Sequence, residues 1–192
     1  MQRAKAIFEE ITKNMIYSLR EIDEVQIEKI VDSILTSKKI FVLGKGQSGL
    51  MGKILAMKLA HLGFISHVVG DVTAPPLEKD DLLVAISQSG ETSSIVTLVK
   101  KAKDLGGRII GITSYPDSTL GQLAHIVLKI PGKMKKVEFP VFSLLGDEKH
   151  KNMSGALFAA NVFAVFYGIV CELVAKTGQS PQEIDSRHAN LE

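Results

Sequence analysis

Ser87, Ser89 and Thr92 crowd into Ser87-Gln-Ser-Gly-Glu-Thr92, directly after the apolar run 82–86. Ile95, Leu98, Val99 and Ala102 then recur at helical spacing. A strand therefore feeds a hydroxyl-rich loop, and the loop opens a helix. Helix N-termini carry unpaired backbone N–H groups and the positive end of the helix dipole. Hydroxyls around such a terminus suit an anion, above all a phosphate. Glu91 lies in the same loop, where an acid either complements the dipole or acts as a general base.

A second stretch of the same kind lies upstream. Residues 39–43 read as a strand whose continuous apolar run, 40–43, meets Gly44-Lys-Gly-Gln-Ser-Gly49, and a helix is expected from there to about residue 62, with Gly63 as its stop. The spacing fits the dinucleotide pattern G-x-G-x-x-G, with Asp71 as a possible ribose ligand beyond the second strand. Ser48, however, puts a hydroxyl where the helix terminus would meet phosphate. One monophosphate held between the two loops explains both hydroxyl sets, whereas a dinucleotide explains only the first.

These loops need a scaffold. Two amphipathic helices come first, over residues 2–20 and 23–36. The first carries Ile7, Ile11, Met15 and Leu19 on one stripe. Strands come next at 39–43, 66–69, 82–86, 108–113 and 126–130, with helices between them, including a short one at 119–124 capped by Ser118. This alternation predicts one α/β domain over residues 1–192, a three-layer doubly wound five-stranded parallel sheet with helices on both faces. Ligands bind such sheets beyond the carboxyl ends of the strands, where both loops lie. Residues 131–152 read as a linker, with a compact apolar patch at 139–142 and Glu138, Glu148 and His150 as surface charges. A long helix over 154–176 is apolar nearly all round, which predicts burial on several sides and oligomerisation. Ser180, Pro181 and Glu183 spell a capping box for a last helix.

Bulk properties exclude some classes of function. The chain has 192 residues, 45% of them apolar, and a net charge of +2 from 23 basic and 21 acidic residues. That balance predicts no nucleic-acid binding, and the three lysines at 133–136 read as a solvated loop. The single cysteine, Cys171, forms no intrachain disulfide and reads as a buried small hydrophobe. A cytoplasmic location fits this cysteine usage and an N-terminus without the apolar core of a signal peptide. The apolar stretch 155–174 is long enough to span a membrane, but Asn161, Tyr167 and Glu172 interrupt it. A buried or interface helix, with no membrane partner, is expected.

At Gly46-Gln-Ser-Gly49 and Ser87-Gln-Ser-Gly-Glu-Thr92 the chain resembles the sugar isomerase, or SIS, domain family. Within that family it is most similar to the 6-phospho-3-hexuloisomerases. The likeness extends to Ala56-Met-Lys-Leu-Ala-His-Leu-Gly63, Val69-Gly-Asp-Val-Thr-Ala-Pro75 and Ser186-Arg-His-Ala-Asn-Leu191. It implies a five-stranded parallel sheet and a homotetramer (or dimer) with sites near subunit interfaces. It also implies no cofactor, no metal, and interconversion of 3-hexulose 6-phosphate and fructose 6-phosphate. By position, Ser48, Ser87, Ser89 and Thr92 are implied phosphate ligands, with Gly46 and Gln47 beside them and Gly46 and Gly49 allowing close backbone approach. His61 matches a histidine implied in ring opening or proton transfer, and Arg187 and His188 match a C-terminal pair implied to reach a neighbour's site.

Three departures stand out. Gln47 replaces an arginine, Met153-Ser-Gly-Ala156 replaces a proline-leucine-glycine-threonine segment, and Ala159 replaces the glutamate that would be the base. Ketose isomerisation needs a base that takes a proton from carbon beside a carbonyl. His61, Glu91 and His188 are the candidates for that work, His61 with Glu91 being one possible pair. Three functions remain as expectations: a hexuloisomerase-type enzyme, a non-catalytic phosphosugar sensor that kept the cradle and lost the base, or an arabinose 5-phosphate or heptose phosphate isomerase. The last is disfavoured because the loop 70–79 lacks the histidine-containing segment of arabinose phosphate isomerases.

Overall fold

The computed structural model describes residues 2–132 and 154–191. The expectations for the lysines at 133–136, the apolar patch at 139–142, Glu138, Glu148, His150 and Met153 lie outside the described residues.

Five strands form one parallel sheet: β1 (Ile40–Gly44), β2 (Ser66–Val68), β3 (Leu82–Ile86), β4 (Arg108–Thr113) and β5 (Ile126–Lys129), in the order β2-β1-β3-β4-β5. The helices are α1 (Gln2–Leu19), α2 (Glu24–Leu35), α3 (Gly46–His61), α4 (Ser93–Asp104), α5 (Thr119–Leu123), α6 (Ser154–Thr177) and α7 (Pro181–Asp185). Successive strand residues point to opposite faces. Val42, Val84, Ile110 and Leu128 pack under α2, α3 and α6, around Ile30, Leu55 and Phe158. Phe41, Leu43, Leu83 and Ile109 pack on the other face, under Ile95 and Val99 of α4 and Leu120 of α5. Both faces are covered, which explains why the strands read as unbroken apolar runs.

The sheet order creates the crevice. β1 and β3 are direct neighbours, with Gly44 opposite Ile86. Their succeeding helices belong to opposite layers, α3 with one core cluster and α4 with the other. The two loops thus leave the same sheet edge side by side and diverge, which is the topological switch point of a doubly wound sheet.

The caps at Ser118 and Ser180 and the stop at Gly63 are as expected, and Asp23 is an N-cap rather than the first helical residue. Asp23 accepts from Val25 N–H to cap α2, Ser118 accepts from Gly121 N–H to cap α5, and Ser180 and Glu183 form the reciprocal capping box of α7. Gly63 stops α3 at φ 81°. On α1, Ile11, Met15 and Leu19 are half-buried against the body, with Asn14 and Ser18 buried between them. The side chain of Ile7 lies outside the described residues.

α6 corrects the expectation for Cys171. It is long and apolar enough to cross a membrane by length and composition, yet only 44% of its most apolar window is buried. Leu157, Phe158, Val162, Phe166, Ile169 and Leu173 enter the core. Phe163, Tyr167 and Cys171, spaced four apart on the opposite side, are exposed. Cys171 is therefore not a buried hydrophobe, because the chain's own sheet and helices cover one side of α6 only.

Glu91 also has a structural task. Its Oε1 accepts from Thr119 N–H at 2.6 Å and its Oε2 from Thr119 Oγ1 at 2.7 Å, tying the loop after β3 to the first turn of α5. The Thr119 backbone bond, then the hydroxyl bond, hold the carboxyl below the ordinary glutamate range. A depressed folded-state pKa stabilises the fold above the unfolded-state value, and the gain disappears as pH falls through the folded-state value. Glu91→Gln should therefore lower the thermal midpoint at pH 7, with the gap to wild type closing as pH drops from about 5 to about 3. Melting curves across that range check this; a gap that does not narrow would show that the carboxylate charge contributes nothing.

Candidate phosphate-binding site

The first loop is built by close approach. A Cβ on Gly44 would lie 2.7 Å from the Ser48 carbonyl carbon and oxygen and 2.8 Å from Gly49 N. Only glycine at the end of β1 lets α3 start this near the strand. Gly49 has the same role in reverse, since a Cβ there would lie 3.0 Å from Gly44 O. At Gly46 an added Cβ meets nothing within 4 Å, so glycine serves there for its φ of 55°.

The second loop is pinned from behind. Thr113 Oγ1 and Ser114 N–H both donate to Gln88 O at 3.0 Å, Ser87 N–H donates to Ile112 O at 3.0 Å, and Leu120 N–H donates to Gly90 O at 3.0 Å. Gly90 has φ 66°, and a Cβ on it would overlap the Ser118 hydroxyl. Within the loop, Ser87 Oγ accepts from Gly90 N–H and lies 3.2 Å from Thr92 Oγ1, while Ser89 Oγ accepts from Glu91 N–H.

Between the loops lies a cavity of about 220 Å³. Lys45, Ser48, Ser87, Gln88, Ser89 and Thr92 form its polar wall, and Ile86 and Ile95 its apolar floor. Lys45 and Thr92 are the N-cap residues of α3 and α4, and neither helix has a side-chain cap among the described residues. Other helices in the fold are capped by Asp23, Ser118 and Ser180. α3 and α4 both begin at this cavity, leaving their first-turn N–H groups for a ligand. The described lining contains no acid, since the Glu91 carboxylate is on Thr119. Typical small-molecule pockets reach roughly 300–1,000 Å³. This smaller space fits one end of a ligand, such as a phosphate and the carbon that bears it.

Some expected residues sit elsewhere. Gln47 is not part of the lining. Its Oε1 lies 2.9 Å from where a Cβ on Gly155 would stand, at the start of α6, and Gln88 Oε1 is 3.8 Å from the same point. Ala159 is half-buried one turn further along α6, on the helix face that meets these two glutamines. Asp71 is exposed on the turn after β2, an edge strand, and does not line the cavity.

His61, Arg187 and His188 form a separate cluster. The His61 and His188 rings lie 4.0 Å apart, Arg187 donates to His61 O at 3.2 Å and to Gln179 Oε1 at 2.7 Å, and His188 Nδ1 is 3.7 Å from Asp185. His61 ends α3 whereas Ser48 begins it, so about 20 Å of helix separates them. Within one chain His61 and Glu91 cannot pair, because they occupy opposite edges of the sheet. Lys45 and Gln88 are lining residues that sequence reasoning missed. The signal was present, since Lys45 directly precedes the first helical glycine and Gln88 lies between the two serines.

Comparison with known proteins agrees with this architecture. A family model of the SIS domain matches residues 33–146. The 3-hexulose-6-phosphate isomerase of Bacillus subtilis is 34% identical over 183 residues, covering 95% of this chain and 96% of its own length. That of Mycobacterium gastri is 33% identical over 195 residues, covering 98% and 94%. Among solved structures, a hypothetical protein from Methanococcus jannaschii, for which a function of 3-hexulose-6-phosphate isomerase was inferred, superposes with a TM-score of 0.78 at 31% identity over all of both chains. With more than half its length matched and relatives of this identity along nearly its whole extent, the chain belongs to the SIS domain family.

Proposed function

We propose that this chain is a phosphosugar isomerase that interconverts 3-hexulose 6-phosphate and fructose 6-phosphate. The observation that carries the proposal is the pair of uncapped helix N-termini facing one hydroxyl-lined cavity at the β1–β3 switch point. The relatives that bear this activity by name align along nearly the full chain. In the reaction a base removes the proton from C2 of the 3-ketose, giving an enediolate. The proton returns at C3, and the carbonyl passes from C3 to C2 as the O2 hydroxyl proton leaves and O3 gains one. The phosphate cradle fixes one end of the sugar so that these carbons stay within reach of that base.

The described cavity lining offers neither a carboxylate nor an imidazole. We infer that a second copy of the chain supplies the proton-transfer group. Leu50, Met57 and His61 share one face of α3, and Leu50 and Met57 are 60% and 46% exposed. Phe163 and Tyr167 of α6 extend this apolar surface, with Lys58 Nζ 5.7 Å from the Tyr167 ring. An isologous contact centred near Ile54 would run the two copies of α3 antiparallel. Residues seven before and seven after that centre then meet, which sets one copy's His61 beside the other's loop at Gln47 and Ser48. A dimer on this face, or a tetramer containing it, in the cytoplasm and with no nucleic-acid or membrane partner, completes the proposal.

Ala159 favours a second reading, a phosphosugar sensor that binds without turnover. Purified protein incubated with 3-hexulose 6-phosphate, with fructose 6-phosphate monitored by a coupled assay, separates the two. Turnover is expected, and Ser87→Ala/Ser89→Ala should lower kcat/KM by about 10- to 100-fold through lost phosphate hydrogen bonds. Ala159→Glu should raise kcat, because the new carboxylate would lie on the face of α6 turned to both loops. Absence of turnover together with thermal stabilisation by sugar phosphates would replace the enzyme by the sensor.

Light scattering after size exclusion should give a dimer or tetramer. Tyr167→Glu should shift it toward monomer and cut kcat by about 100-fold or more, in line with loss of an acid–base group, with fructose 6-phosphate still bound. A wild-type monomer with full activity rules out the shared site.

A further inference from the structure

Resting on the phosphosugar reading above, we infer that Lys45 is the specificity-determining cation of the site, the group that makes it select a phosphorylated sugar over the neutral one.

Lys45 ends the strand-to-helix connection in an extended conformation, φ −126° and ψ 150°, and is exposed at the N-cap of α3. It lines the same cavity as Ser48, Ser87 and Thr92. The other described lining residues are hydroxyls, one amide and two isoleucines, so Lys45 is the one full charge among them. Four other lysines are already engaged. Lys39 bridges Glu78 and Asp81, Lys176 pairs with Asp32, Lys103 donates to Leu123 O, and Lys58 lies over the Tyr167 ring. Lys45 has no ion-pair partner among the described residues. Glu91, the acid in the same loop as Ser87 and Ser89, has both carboxylate oxygens on Thr119. Gln47, the next polar side chain of the loop, is neutral and reaches toward Gly155.

The chemistry divides accordingly. Backbone N–H groups and serine hydroxyls donate hydrogen bonds to any acceptor, including water or a sugar hydroxyl. They set the orientation of a ligand but discriminate weakly between a phosphate ester and a free hydroxyl. A sugar phosphate carries nearly two negative charges at neutral pH. A lysine ammonium meets such a group as a point charge. Its contribution depends on charge and on ionic strength, whereas that of a capping or packing residue does not.

Isothermal titration of the purified full chain with fructose 6-phosphate and, separately, with fructose tests this at two salt concentrations. The variants are Lys45→Gln and Lys45→Arg; both sit at an exposed position. Wild type should bind fructose 6-phosphate, with fructose bound far more weakly. Lys45→Gln should weaken fructose 6-phosphate binding by about 10- to 100-fold, the size of one charge-assisted hydrogen bond, and flatten its salt dependence. Lys45→Arg should stay within about threefold of wild type, the guanidinium keeping the charge and its donors. If wild type binds and Lys45→Gln matches it in affinity and salt dependence, the role of Lys45 falls and the site stands. If both variants weaken equally, the side chain acts by shape and the charge role falls. If wild type fails to bind fructose 6-phosphate at all, the phosphosugar reading and Lys45 fall together.

Discussion

Everything at the candidate site depends on β1 and β3 being parallel neighbours whose loops turn away sharply enough to leave room between them. The register sets Gly44 opposite Ile86, so both loops start at the same height. Their sharp divergence rests on missing Cβ atoms. At Gly44 any side chain would push the Ser48–Gly49 backbone away from the strand, and α3 would begin further out. At Gly90 a side chain would collide with Ser118, the residue that caps α5. The phosphate cradle is therefore fixed less by the hydroxyls that line it than by two positions where the main chain tolerates nothing larger than hydrogen. Ser87, buried to 3% exposure, keeps its hydroxyl in place because Gly90 N–H donates to it.

Much of this architecture was legible in the sequence because the relevant signals are local. An unbroken apolar run that ends in glycine and serine reads as a buried parallel strand, and β3 and β4 occupy the expected residues. The caps at Ser118 and Ser180 are likewise decided within a few residues. Long-range partners were not legible. Nothing near Glu91 announces that its carboxylate will meet Thr119, and this contact turns a candidate base into a clip between two elements. The exposure of Cys171 was hidden for a related reason. Apolar residues all round α6 show that the helix wants cover on every side, without showing which side its own chain covers. The separation of His61 from Ser48, by contrast, is a consequence of helix rise alone, since both belong to one continuous helix.

That separation gives the fold a division of labour. The cradle needs one chain, because β1 and β3 are adjacent in the sheet, α3 and α4 follow them directly, and the loop after β3 is braced by β4 and α5. The histidine cluster is also held by one chain, through Arg187, Gln179 and the last turn of α3. Binding equipment and titratable equipment are each locally complete, and α3 holds them apart at its two ends. The same helix carries Leu50 and Met57, two of the large apolar residues that the chain leaves exposed.

A helix with a ligand cradle at its start, an imidazole at its end and an apolar stripe between them is suited to antiparallel pairing with itself. On the proposed reading, such pairing buries the stripe and brings each imidazole to the other copy's cradle in one step. The hydrophobic surface that drives association then also aligns the proton-transfer group, so that orientation at the reacting carbons is set by subunit packing rather than by a mobile loop. It also explains how Ala159 can be compatible with chemistry. With the imidazole contributed across a two-fold axis, α6 is left to cover the two glutamines and to present its outer stripe of Phe163 and Tyr167 to the assembly.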